Sequence, residues 1–164
     1  MRYKHQAHHG NESSSYSSSY SYSEPQHSTY ISMTTPRRQF DHEKLEVYQL
    51  ELRFVAWSTK LMAEVREQKI PNLRETCDQL DRAALSSLLN TAEGNGRRAT
   101  QQRARFFDDA RGSATECSAC LDALVAKGAC VSERILEGKD FLISIVSILT
   151  KLVERFDRGG KDEN

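Results

Sequence analysis

The sequence predicts an all-α domain, an antiparallel up-down-up-down four-helix bundle with a disordered N-terminal tail. Three observations lead there. Four successive stretches repeat apolar residues at intervals of three and four, the spacing of one helix face. Short segments carrying proline or glycine separate them, and short links between long helices favour antiparallel neighbours. No stretch shows the strict alternation of a half-buried strand.

The N-terminal part differs in composition. Residues 1–35 hold ten serines, five of the six tyrosines and four of the five histidines, with no leucine, valine or phenylalanine. Such a segment buries too little apolar surface to offset chain entropy, so 1–40 is expected to be a disordered tail. Met33 opens a plausible short lead into the domain, and translation starting there would leave 1–32 outside the protein. The tail pair His8-His9 lacks a folded partner for a metal site.

The first helix is expected at roughly 42–66. Leu45, Tyr48, Leu52, Val55, Thr59 and Met62 form its seam, and Glu43, Lys44, Glu46, Glu51 and Arg53 fall mainly elsewhere. Trp57 lies between seam and charged face, either covering the core edge or sitting in a subunit interface. Pro71 ends the helix, because proline disfavours helical backbone in the residue before it.

Asn72 is the expected N-cap of the second helix, with Glu75 completing a capping-box pair. Its inner face is Leu73, Cys77, Leu80, Ala84, Leu88 and Thr91, and its many small residues allow close helix approach. Gly94-Asn95-Gly96 is expected to end it, since glycine and asparagine accept the left-handed conformation. Thr100 then caps a third helix over roughly 100–127, facing inward with Ala104, Phe107, Ala110, Ala114, Cys117, Leu121 and Leu124. The fourth covers roughly 130–157, with Val131, Ile135, Leu142, Ile145, Leu149, Leu152 and Phe156 inward and Gly138 as a kink or short break. The bundle domain is thus 41–157, and 158–164 is a C-terminal tail.

Composition narrows function. Lysine and arginine total 23 against 23 aspartates and glutamates, so bulk positive charge cannot coat nucleic acid. No apolar run approaches the roughly 18 residues of a membrane span, and no secretory h-region opens the chain. Cytoplasmic location with reduced cysteines is the expectation. Cys117 and Cys120 form a CxxC, but deep inside a helix rather than at its N-terminus, where the dipole would activate a thiol. Small-core packing is the favoured reading, with redox chemistry as the alternative. Cys77 and Cys130 stand alone, so no four-cysteine zinc site forms. His42 is the one histidine outside the tail, which removes most histidine-based catalysis. No enzymatic activity, cofactor or metal is expected.

One cluster invites a binding role. Arg97, Arg98, Arg103, Arg105 and Arg111 lie within fifteen residues, against Asp108 and Asp109. The planar guanidinium fork suits phosphate, so these five are the candidate nucleic-acid-binding residues, with a solvated or oligomer-pairing face as the other reading. Arg82, Glu93 and Glu116 stand among small and apolar residues and are expected inside the bundle as an Arg–Glu network between helices two and three.

Two runs carry a resemblance. Gln79-x-x-Arg82-Ala83-Ala84-x-Ser86 leads into Asn90-Thr91-Ala92-Glu93-Gly94-x-Gly96-Arg97. Arg105-Phe106-Phe107-x-x-Ala110-Arg111-Gly112-Ser113-Ala114-x-Glu116 follows. Over roughly 41–157 the chain resembles the four-helix bundle proteins first named from intervening sequences in bacterial large-subunit ribosomal RNA genes. The accessory variability determinants of diversity-generating retroelements are similar relatives. The resemblance implies a homo-oligomeric ring, typically a pentamer, without known enzymatic activity. For the retroelement branch it implies binding to nucleic acid and to a reverse transcriptase. It gives Arg82, Asn90, Glu93, Gly94, Arg97, Gly112, Ser113 and Glu116 a structural role in turn geometry and polar pairing. Residues 41–157 hold 17 basic and 19 acidic groups, whereas the retroelement proteins are markedly basic. That balance favours a second reading, a protein-interaction module without nucleic-acid binding.

Overall fold

The computed structural model describes residues 38–159 apart from Lys69. The serine- and tyrosine-rich tail, Met33, His8-His9 and Gly160 onward lie outside the described residues. A 3-10 turn, Asp41–Lys44, precedes α1 (Glu46–Glu67), α2 (Leu73–Gly96), α3 (Thr100–Ala126) and α4 (Ser132–Gly159). Each helix packs on two neighbours, α1 on α2 and α4, α3 on α2 and α4, while diagonal pairs stay apart. Side chains crossing the ends show the antiparallel order. Lys127 at the end of α3 reaches Asn72 and Thr76 at the start of α2, and Arg134 near the start of α4 meets Glu64 near the end of α1. This is the expected four-helix bundle.

The inner faces of α2 and α3 are as expected: every residue named for them is buried. The seam of α1 is not. The buried line is Val47, Glu51, Phe54, Ser58, Leu61 and Val65, a heptad rotated by one residue, about 100°, from the expected one. Met62 is buried, but Leu52 and Thr59 are exposed and Leu45, Tyr48 and Val55 only half-buried. The true seam contains a glutamate and a serine, so a search for an uninterrupted apolar line settles on the adjacent one. Trp57 is 8% exposed and belongs to the core. It lies against Gly138, where an added Cβ would come within 2.2 Å of the indole ring. Gly138 does not break α4; it makes room for Trp57.

Helix ends differ in detail. Asn72 adopts a left-handed conformation, φ 62°, and makes no side-chain cap, so the expected capping box with Glu75 is absent. Its side chain gives up capping because the residue supplies the reversal after Pro71. A capping carboxylate stands instead at the 3-10 turn that opens the domain, where Glu43 accepts from the Phe40 N–H at 2.7 Å. Ala99, not Thr100, occupies the N-cap of α3. Helix α2 continues through Gly94, Asn95 and Gly96. Gly94 is there for space: a Cβ would stand 3.0 Å from the Phe106 Cβ and 3.3 Å from the Phe107 ring. The left-handed glycine is Gly128, φ 71°, after α3. Val131, expected inward, precedes α4 and is 66% exposed. Ile135, Leu142, Ile145 and Leu149 are buried as expected, and Leu152 and Phe156 are half-buried.

Candidate functional site

The five arginines do not form one face. Helix geometry sends side chains two residues apart about 200° around the axis, so Arg103 and Arg105 point in opposite directions. Arg103 is half-buried: its Nη2 donates to the Asn95 carbonyl at 3.2 Å and to Asn95 Oδ1 at 3.3 Å. Its guanidinium also lies 4.6 Å from the centre of the Phe156 ring, which stacks on Phe107. That arginine fastens the end of α2 to the end of α4 and has a structural post.

Arg97 pairs with Glu93 one turn earlier and covers the Phe106 ring at 4.7 Å. Arg111 bonds Asp108 at 2.6 Å. Arg98, in the α2–α3 turn, and Arg105, on the outer side of α3, are exposed and have no ion-pair partner among the described residues.

Arg82, Glu93 and Glu116, expected inside the bundle, are on its surface. These three form no buried ion pair among the described residues, and the desolvation cost of one is avoided. A bridge between α2 and α3 does exist, with Gln79 in its middle. Arg82 donates to Gln79 Oε1, and Gln79 Nε2 donates to Glu116 Oε1. Two turns on, Ser86 and Ser113 join at 2.9 Å, and Asn90 donates to Ser86 at 3.2 Å. These residues form a polar strip along the outer α2–α3 groove. Gly112 lies beside it with nothing within 4 Å of an added Cβ. Leu85 and Leu89 are exposed on α2, each turned about 100° away from the strip residue that follows it, and Leu89 is 64% exposed. Sequence reasoning foresaw pairing between these helices, but placed it inside because glutamate and arginine sit there among small residues.

The cysteines fit core packing. Cys77, Cys117 and Cys120 are buried, Cys130 is half-buried, and all four are free thiols. Burial pushes each of them up from the ordinary thiol value, most strongly Cys117, where Cys120 and Glu116 add repulsion. A nucleophilic or redox cysteine needs the opposite shift. His42 sits edge-on against Tyr48 with ring centres 4.8 Å apart, a packing role at the start of the domain.

Glu51 is the residue that sequence reasoning missed. It is 1% exposed, and its Oε1 accepts from Ser87 Oγ at 2.6 Å and Thr91 Oγ1 at 2.9 Å. The available signal was the heptad through Val47, Glu51, Phe54, Ser58, Leu61 and Val65, facing the two hydroxyls one turn apart on the inner side of α2.

Residues 43–151 match the family model of the 23S rRNA-intervening sequence protein. The chain belongs to that family. In this member of the 23S rRNA-intervening sequence proteins, the matched segment spans the bundle from the 3-10 turn to the penultimate turns of α4, including the whole α2–α3 strip. No curated protein matches the chain closely enough to count as a relative. No described helix is long and apolar enough to cross a membrane.

Proposed function

We propose that this 23S rRNA-intervening sequence protein is a non-enzymatic scaffold that works as a homo-oligomer, a pentamer by resemblance, and binds nucleic acid without sequence preference. The observation that carries the scaffold reading is the outer α2–α3 face. Its polar side chains are engaged with one another, Gly112 leaves open space, and the adjoining outer face of α2 exposes Leu85 and Leu89. A surface with apolar residues beside satisfied polar groups suits protein contact better than bond-making chemistry. Buried, proton-holding thiols support the same reading.

For nucleic acid, the support comes from Arg98 and Arg105. Both are exposed and have no ion-pair partner among the described residues, while Arg97 and Arg111 are held by acids and Arg103 by Asn95. Two such groups on each of about five copies would multiply into a local basic surface despite zero net charge. Such contacts hold phosphate and carry no sequence information.

The test is a titration of the full chain against a fluorescent single strand and a duplex at several salt concentrations. Binding should weaken steeply with salt, by about 0.7–0.9 in log K per phosphate contact per log unit of salt. Replacing Arg98 and Arg105 together with alanine should abolish binding and leave helix content intact. Unchanged binding in that variant would remove these arginines from the site. No binding at low salt would favour the protein-interaction module, the reading that the 17-to-19 charge balance of residues 41–157 supports.

A further inference from the structure

The scaffold reading makes no use of the carboxyl group of Glu51. Its Oε1 holds two hydroxyl donors, while Oε2 is enclosed and meets no donor. Among the described residues, no positive charge acts on this carboxyl to compensate an anion. The inner line of α2 presents Ser87 and Thr91 and, further along, the thiol of Cys77. The inner line of α3 presents Cys117 and Cys120, whose thiols burial keeps protonated. The buried residues of α4, Ile135, Leu142, Ile145 and Leu149, do not titrate. Glu51 is the one carboxylate buried in α1, and no lysine, arginine or histidine contributes to its charge environment.

An anion here would keep half its charge on an enclosed oxygen that meets no donor among the described residues. The neutral acid removes that charge and leaves only one hydroxyl short of an acceptor, a smaller cost. Burial therefore raises the carboxyl from its ordinary value of 4.5 to about 7, with Ser87 and Thr91 pulling the other way.

We propose that Glu51 is a proton-operated latch in the α1–α2 interface: the neutral acid seats α1 on α2, and loss of the proton loosens that pair. The direction follows from linkage. The folded chain keeps a proton that the unfolded chain releases, so the stabilisation is complete below about pH 4.5 and is lost as pH rises towards 7.

The experiment is equilibrium unfolding of the full chain and of Glu51→Gln by denaturant from pH 5 to 8.5, with hydrogen exchange on the native proteins. Relative to the variant, the wild-type unfolding constant should rise by roughly tenfold per pH unit up to about 7 and then level. Exchange, corrected for its intrinsic pH dependence, should speed up along α1 and the facing turns of α2. Parallel pH profiles for the two proteins would overturn the latch, as would loosening confined to α3 and α4. If Glu51→Gln does not fold, carbon-13 titration of the Glu51 carboxyl in the wild type decides. A midpoint near 7 supports the latch, and a midpoint near the ordinary glutamate value overturns it.

Discussion

Gly138 and Gly112 occupy helix interiors for opposite reasons, and single substitutions separate them. At Gly138 a Cβ would meet the buried Trp57 ring at 2.2 Å, so Gly138→Ala must displace the indole or part α1 from α4. The expected loss is about 1–3 kcal/mol by denaturant unfolding, the usual cost of overpacking. At Gly112 nothing stands within 4 Å, and Gly112→Ala should stabilise the isolated bundle by about 0.5–1 kcal/mol through helix propensity. Similar behaviour of the two variants would contradict this packing. Glu51 illustrates a third kind of position, where a side chain is kept at a cost. With its carboxyl raised from 4.5 to about 7, keeping the ionised form folded above pH 7 costs about 3 kcal/mol relative to acid conditions. Ser87 and Thr91 limit that cost by holding Oε1.

At the level of the helix, legibility in the sequence depended on what fills the seam. The inner lines of α2 and α3 are apolar or small throughout, and periodicity alone places Leu80, Phe107, Ala114 and Leu121 inside. The seam of α1 contains Glu51 and Ser58, and hydropathy selects the neighbouring line instead. Recognising Glu51 as buried needs its partners on α2, which are 36 and 40 residues away in sequence. The arginine cluster was legible as composition but not as a face. Sequence proximity groups Arg103 with Arg105, and the helix turn sends one to Asn95 and Phe156 and the other to solvent. The CxxC was legible because its position deep in a helix already argued against an activated thiol. A thiol reagent on the native chain should therefore label Cys130 first and leave Cys77, Cys117 and Cys120 unreacted, with all four reacting in denaturant. Rapid native labelling of Cys117 or Cys120 would reopen the redox alternative.

For the whole molecule, the bundle closes on itself through its core, and polar side chains tie α2 to α3 along their outer groove. The outer α2–α3 groove carries the Arg82–Gln79–Glu116 bridge, the Ser86–Ser113 contact and open space at Gly112, and the adjoining face of α2 exposes Leu85 and Leu89. Family membership over residues 43–151 includes all of these positions. In the proposed scaffold this side meets a second copy, and the assembly gathers Arg98 and Arg105 from several chains into one basic surface. The most direct test is the mass of the full chain in solution by light scattering. A homo-oligomeric scaffold gives a particle several times the 18.7 kDa of one chain, about five copies for a pentameric ring. A particle of 18.7 kDa at concentrations where the bundle is fully folded would contradict it.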